Sequence, residues 1–172
     1  LQFLLKTGFI FSSTFEFNKC LEIIKTRKSR VLLAQENTTL LTNQVYPNII
    51  SQVISLSPSS QTILDFDSEI STLITEFGPV NKKIITNSPN SKSVALFLKL
   101  GPHRAILGAD LEVGNKINEG WLNISNNQTV IDKKSSLYKV PHHGSNNGHN
   151  NNIWLNLLES NPISKLTQKK KN

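Results

Sequence analysis

Apolar runs typical of β-strands alternate along this chain with segments of helical period, and this alternation most restricts its possible folds. Residues 49–56 form a run rich in isoleucine and valine, and residues 63–77 follow with apolar side chains at helical spacing. Further strand-like runs occupy residues 93–100, 104–107 and 137–140, without an internal repeat. The pattern predicts an α/β fold with mixed elements.

Other segments extend this prediction. Apolar residues three and four apart predict a helix over Phe15–Thr26, and a shorter helical stretch is expected around Trp121. Short apolar runs at 30–34 and 39–41 predict two strands around a polar turn. The asparagine-rich residues 146–152 predict a loop, and residues 153–159 predict a final helix.

Length and cysteine content limit the class of protein. The 172 residues fit one domain, and no apolar run approaches the roughly 18 residues of a membrane span. The single cysteine, Cys20, excludes an internal disulfide framework, so we expect a cytoplasmic protein. The chain lacks methionine and opens in an apolar stretch, so we expect its natural start to be missing. We divide it into a partial domain, residues 1–164, and a basic, disordered tail, residues 165–172.

Two clusters carry the excess positive charge. The net charge is +7, and residues 19–30 and 165–171 each contribute +4, so the rest of the chain is nearly neutral. A solvated helix face and a frayed tail explain these clusters without a partner. A nucleic-acid or protein partner of the Lys19–Arg30 helix is the alternative, and it would make the chain a non-catalytic binding module.

The first segment whose residues could carry chemistry follows a predicted strand. It is Leu107-Gly108-Ala109-Asp110-Leu111-Glu112. Small residues let the backbone approach a site closely, and an acid just past a strand end can face a cleft. Asp110 could equally cap a following helix, because aspartate is a favoured N-cap residue. The segment alone leaves both interpretations open.

The second segment is Lys139-Val140-Pro141-His142-His143-Gly144-Ser145, and it is more specific. Neighbouring residues on an extended chain point in opposite directions, so one imidazole can face a site while the other lies beside it. Imidazole is the commonest neutral metal ligand and titrates near physiological pH. A polar turn with two exposed histidines is the simpler alternative.

The order of these segments resembles the C-terminal half of a metallo-β-lactamase-fold hydrolase, in the branch of the ComEC-type competence proteins. The resemblance covers residues 90–159, where the Gly-Ala-Asp-Leu-Glu strand end precedes Lys-Val-Pro-His-His-Gly-Ser by about thirty residues. The segment Pro89-Asn90-Ser91-Lys92-Ser93 also resembles the strand entry of that branch. The resemblance implies an αββα sandwich, of which we expect this chain to hold only the C-terminal portion.

The resemblance also implies roles for individual residues. Asp110 and His142 match metal ligands of the family, and His143 is expected to transfer a proton or contact substrate. Asn90, Ser93 and Ser145 are candidates for the rim of the site and for substrate binding. The implied cofactor is zinc, or another divalent metal such as manganese, with two ions in the complete enzyme. Such a metal lowers the pKa of bound water toward 7 and polarises the bond to be cleaved.

One departure from the family is serious. The family's His-x-His-x-Asp-His string is absent here, and the other two histidines, His103 and His149, lie in a predicted hairpin turn and a polar loop. Asp110 and His142 alone are fewer than the three protein ligands usual for catalytic zinc. Two explanations fit: a truncated hydrolase, or a diverged form that has lost metal chemistry. We expect the first, which when complete acts on phosphodiester or other ester-like bonds. A phosphoester or nucleic acid is the expected substrate, and the chain alone is expected to bind zinc weakly and turn over little.

Overall fold

The computed structural model describes residues 15–27, 32–77 and 88–167. The chain separates into two compact units, Leu1–Leu33 and Ala34–Asn172. In the first unit, helix α1 spans Phe15–Thr26, which confirms the helix predicted from the apolar spacing. The Thr26 hydroxyl donates a 3.0 Å hydrogen bond to the Ile23 carbonyl in its last turn.

The second unit is built on a six-stranded mixed sheet with the strand order β1-β2-β3-β4-β5-β6. The first four strands pair antiparallel, whereas β4, β5 and β6 pair parallel. This sheet and its helices confirm the α/β class. The strands are β1 (Thr38–Tyr46), β2 (Ile49–Ser55), β3 (Leu96–Leu100), β4 (His103–Leu107), β5 (Ser135–Lys139) and β6 (Leu158–Lys165).

Two α-helices and several short helical turns connect these strands. Helix α2 spans Ser60–Phe77 and helix α3 spans Gly120–Asn127. The Glu36 carboxylate links the two helices: it accepts hydrogen bonds from the Ser60 N–H at 2.8 Å and from the Asn123 side-chain amide at 2.6 Å. The shorter turns are 3₁₀ at Pro89–Lys92, His142–Gly144 and Asn146–Gly148, and π-helical at Ile153–Leu157.

The hydrophobic core contains one side chain or more from each of β2, β3, β4 and β5. Trp121 of α3 is fully buried, and its ring meets the Tyr138 ring edge-on with centroids 6.3 Å apart. Tyr138 meets Trp154 in the same way at 5.2 Å. Edge-to-face aromatic contacts stabilise a core beyond the area they bury, so these rings join α3, β5 and the π-helical turn. Ile54, Phe97 and Ile106 complete the centre of the core.

Three predicted elements differ from the structure. The strand predicted at 30–34 is wrong in its described part, because residues 32–35 have no regular secondary structure. The strand predicted from residue 93 begins only at Leu96, after the 3₁₀ turn. The helix predicted over 153–159 stops at Leu157, because Leu158 pairs with Ser135 and opens β6. Pairing with a neighbouring strand outweighs local helical spacing in this segment.

Across the described residues, the structure has no helix long and apolar enough to cross a membrane. In the predicted basic tail, β6 continues to Lys165, and residues 168–172 lie outside the described part of the chain.

Candidate functional site

The C-terminal ends of β4 and β5 lie side by side, which brings the two chemically distinctive segments together. The strands are parallel neighbours, with Leu107 opposite Lys139. Beyond them, the Gly108 N–H donates to the Lys139 carbonyl and the His142 N–H donates to the Ala109 carbonyl, each at 3.0 Å. Two segments about thirty residues apart in sequence thus form one edge of the sheet.

Gly108 is required for this close approach. A Cβ atom at this position would lie 2.8 Å from Pro141 Cβ and 2.9 Å from the Lys139 carbonyl oxygen. Both distances are shorter than the ordinary contact of a carbon atom with another carbon or with an oxygen. The small residue between β4 and Asp110 therefore sets the separation of the two strand ends.

The backbone is conformationally strained at the same edge. Ala109, His142 and His143 have φ values of +46°, +42° and +54°, and Ser88, which precedes the Asn90 turn, has +45°. The left-handed region is disfavoured for residues with a Cβ, and such strain concentrates at functional sites. Among the described residues, Asn37 is the one other non-glycine residue with positive φ. The clustering supports a functional role for this edge.

Asp110 lies beside His143. Oδ1 of Asp110 is 3.9 Å from Nε2 of His143, and their side chains are 55% and 37% exposed. The other ring nitrogen, Nδ1, is 3.0 Å from the Thr167 carbonyl. Because a carbonyl can only accept, Nδ1 carries the proton in the neutral ring. Nε2 then presents a lone pair to solvent and to Asp110, so a base and a carboxylate face each other at an accessible position.

His142 lies instead against Glu112. Its Nδ1 is 3.1 Å from Oε1 of Glu112, and its Nε2 is 3.3 Å from the Asn90 side-chain nitrogen. The same Glu112 oxygen accepts hydrogen bonds from Asn90 at 3.1 Å and from the Asn147 amide at 2.7 Å. Glu112 is therefore the centre of a polar cluster: it accepts hydrogen bonds from two asparagines and lies in contact with His142.

The orientation of the His142 ring follows from these contacts. The Asn90 amide nitrogen donates, so Nε2 accepts and Nδ1 carries the proton of the neutral ring. Nδ1 is buried, and its contact with Glu112 lacks hydrogen-bond geometry, which leaves that nitrogen without a hydrogen-bond partner among the described residues. A buried donor without a partner is costly, so this nitrogen is a second strained feature of the site.

Helix α3 positions the loop that carries Asp110 and Glu112. The buried Trp121 indole donates a 3.0 Å hydrogen bond to the Leu111 carbonyl, and the Trp121 N–H donates to the Glu112 carbonyl at 3.0 Å. The alternative that Asp110 caps a helix is wrong, because no helix begins until Gly120 and the residue before it is Glu119.

The remaining predicted residues contribute in different ways. Asn90 contacts both His142 and Glu112. Ser93 acts through its backbone, which donates to the Asn90 carbonyl at 3.1 Å and accepts from the buried Ser57 hydroxyl at 2.7 Å. The Ser145 hydroxyl donates to the Asn147 side chain at 2.5 Å. Ser93 and Ser145 therefore support the segments that carry Asn90 and Asn147.

The other two histidines lie apart from this cluster of contacts. His103 is exposed at the start of β4, at the opposite end of that strand, and His149 is exposed and bonds to Asn151 at 2.8 Å. Both are therefore exposed polar residues outside the candidate site.

Sequence reasoning assigned no role to Glu112 or Asn147. The signal for Glu112 was present, because residues two apart on an extended segment point to the same side, and Glu112 stands two residues after Asp110. The signal for Asn147 was hidden among the asparagines of its loop. Its backbone carbonyl also accepts from Val113 at 2.7 Å, so the loop after the histidines is tied to the loop after β4.

The donor types suit zinc, but their arrangement does not complete a metal site. Imidazole and carboxylate are ordinary zinc ligands, and Asp110 and His143 face each other with lone pairs. Within residues 15–27, 32–77 and 88–167, however, no three His, Cys, Asp or Glu residues are grouped so that they could hold a metal ion. The segments outside those ranges contain none of these four residue types. The residues present therefore fall short of a catalytic zinc site.

Comparison with known proteins gives no relative: no family model, no curated protein and no solved structure matches the chain.

Proposed function

We propose that the chain is part of a metal-dependent hydrolase of the metallo-β-lactamase type, acting on phosphodiester or other ester-like bonds. In this proposal the six-stranded sheet is one of the two sheets of the αββα sandwich. The site is the edge where β4 and β5 end. Sequence resemblance alone suggests the substrate class.

One observation carries the proposal: the parallel pairing of β4 and β5 places an acid and two histidines at one sheet edge. Asp110 and His143 are 3.9 Å apart there, and the backbone joins their strand ends through the bond from His142 to Ala109. Simple packing does not require left-handed φ values at Ala109, His142 and His143. A site that holds reacting groups in fixed positions explains this strain.

The residues have different roles in the proposed reaction. Nε2 of His143 accepts a proton from the water whose oxygen bonds to phosphorus, and returns it to the alkoxide that leaves as the ester bond breaks. The hydrogen bond of Nδ1 to the Thr167 carbonyl keeps the ring in the required tautomer. Asp110 stabilises the imidazolium that results. His142 lies against Glu112, accepts a hydrogen bond from Asn90 and donates its backbone N–H to Ala109, so in the described arrangement it positions the loop between the two strand ends.

The expected metal ligands, Asp110 and His142, remain a proposal. Asp110 is exposed and available, whereas both ring nitrogens of His142 face protein groups, Glu112 and Asn90. Because the described residues fall one ligand short of the usual three, we assign no reaction step to a metal.

Hydrolysis of bis(p-nitrophenyl) phosphate, a simple phosphodiester probe, tests the proposal. We expect the full chain, in buffer containing zinc, to release p-nitrophenolate slowly but above the buffer rate. His143→Ala should lower that rate at least 100-fold, the lower range for a lost general base. His149→Ala is the matched control, because this exposed histidine lies outside the cluster, and it should leave the rate unchanged.

Two results would overturn the proposal. Wild-type protein with no release above the buffer rate would remove the enzymatic interpretation. Equal rates in His143→Ala and wild type, with both folded by circular dichroism, would remove His143 from the reaction.

A second candidate function rests on α1. Lys19, Lys25 and Arg27 are exposed on this helix or directly after it, as a polyanion-binding surface requires. Lys28 and Arg30 of the predicted basic cluster lie outside the described residues. Reversal of the charges at residues 25, 27 and 28 should abolish polyanion binding if this helix is the interface, and should leave phosphodiester hydrolysis unchanged.

A further inference from the structure

The two outermost strands of the sheet, β1 and β6, differ in how they are protected from pairing with other strands. An edge strand presents unpaired N–H and C=O groups, and proteins shield such edges with charges, prolines and bulges. Strand β6 contains Glu159, Pro162 and Lys165, all of which oppose pairing. Strand β1 is the other edge, and on its outer side it has no partner strand among the described residues.

Strand β1 has no charged residue and no proline that would oppose pairing. No charged residue occurs anywhere from residue 37 to residue 64, a segment that includes all of β1 and β2. Apolar side chains are exposed on this hairpin: Leu41 is 57% exposed, Tyr46 is 65% exposed and Ile50 is 54% exposed. An uncharged edge with exposed apolar side chains favours pairing with another strand.

Bulges restrict where that pairing can occur. The register of β1 against β2 shifts between Thr39 and Leu41 and again between Gln44 and Tyr46. The regular part of the strand is therefore residues 41–44, because a bulge bends and twists the strand on either side. An edge with one short regular stretch suits a discrete contact better than an open-ended fibre.

We propose that β1 pairs antiparallel with β1 of a second copy of this chain, across a two-fold axis. Hydrogen-bonded and non-hydrogen-bonded pairs alternate in an antiparallel ladder. A two-fold axis must therefore pass midway between one residue and the same residue of the second copy. Thr42 lies in the regular stretch and is also the midpoint of Thr38–Tyr46, so a ladder centred on Thr42 pairs residues 41–43 of the two copies without crossing a bulge.

A second copy fits this edge for two reasons. Self-pairing brings identical residues close together, which is unfavourable for like charges, and β1 has none. Because β6 is protected, β1 is the one edge strand of each copy that is available for pairing. Pairing through β1 therefore stops at two chains. The result is a continuous twelve-stranded sheet built from two six-stranded sheets.

Charge substitution at Thr42 tests this pairing in the full chain. Thr42 is exposed and its hydroxyl accepts only a long, 3.4 Å bond from Gln52, so its replacement should not disturb folding. Wild-type protein should sediment at twice the 19.2 kDa chain mass. Thr42→Lys and Thr42→Glu should each sediment as monomers, and an equimolar mixture of the two should recover the dimer. Ser160→Lys on β6 is the matched control and should remain dimeric.

A cysteine at the proposed axis tests the register. In a Cys20→Ser background, Thr42→Cys should form an intermolecular disulfide on mild oxidation, because directly opposed residues have Cα atoms within disulfide range. Gln44→Cys is the control, because in this register it faces Leu40 of the second copy and should not cross-link.

Several outcomes would overturn the inference. One is a wild-type chain that stays monomeric at every concentration, as it would if another segment of the same protein covered β1. Another is an assembly of any size that Thr42→Lys leaves intact. A mixture of the Lys and Glu variants that stays monomeric would likewise exclude self-pairing at Thr42.

Discussion

Replacement of Trp121 by phenylalanine should destabilise the fold by about 2–4 kcal/mol, through the loop that carries Asp110 and Glu112. The indole is fully buried and donates a 3.0 Å hydrogen bond to the buried Leu111 carbonyl. Phenylalanine leaves that carbonyl unpaired, at a cost of about 1–3 kcal/mol. The smaller ring also leaves a cavity, which adds roughly 1 kcal/mol.

Urea unfolding followed by far-UV circular dichroism measures this change, with all proteins at one concentration. Trp154→Phe is the matched control, because this ring is only partly buried at the side of the core and contacts Tyr138 edge-on. It should cost less than half as much. The reasoning fails if Trp121→Phe lies within about 0.5 kcal/mol of wild type, the size of an ordinary surface substitution. It also fails if the two variants lose equal stability.

Two further predictions concern the strand ends and the pH dependence of stability. Gly108→Ala should cost about 1–3 kcal/mol in urea unfolding, as overpacking does, because its Cβ would meet Pro141 at 2.8 Å; wild-type stability in this variant would show that the strand ends separate freely. The Arg104 hydrogen bonds hold the pKa of Asp132 well below its usual range. That contribution is present above the unfolded pKa of about 3.9 and is lost as the pH falls below it. The Asp132 side chain is 44% exposed, so the contribution should be at most about 1 kcal/mol. Melting temperatures from pH 6 to pH 2 should therefore converge for wild type and Asp132→Asn, and a gap that widens toward pH 2 would contradict this.

Much of the fold could be predicted from local sequence. Helical spacing located α1 with its observed bounds and α2 to within a few residues, and the Gly101-Pro102 turn separated β3 from β4 as expected. These elements are specified by side chains that are close in sequence. The first residues of β6 were not predicted as strand, because Leu158 becomes a strand residue only through its pairing with β5.

The sequence indicated which residues to consider for the candidate site better than it indicated where their side chains point. The strand ends that carry Asp110 and His142 are adjacent in the sheet. The left-handed backbone at both histidines was not foreseeable from residue type, and it turns His143 toward Asp110 and His142 toward Glu112. Side-chain direction at a strained turn depends on φ and ψ angles that periodicity does not encode.

Zinc titration of the full chain, followed by the ¹⁵N resonances of the histidine rings, tests the central claim most directly. The claim is that Asp110 and His143 form one accessible site where β4 and β5 end. We predict weak, saturable shifts of the His143 ring, because its Nε2 faces Asp110, and none for His103 or His149. These shifts should disappear in Asp110→Ala. Equal shifts of all four rings, or shifts that persist without Asp110, would contradict the account.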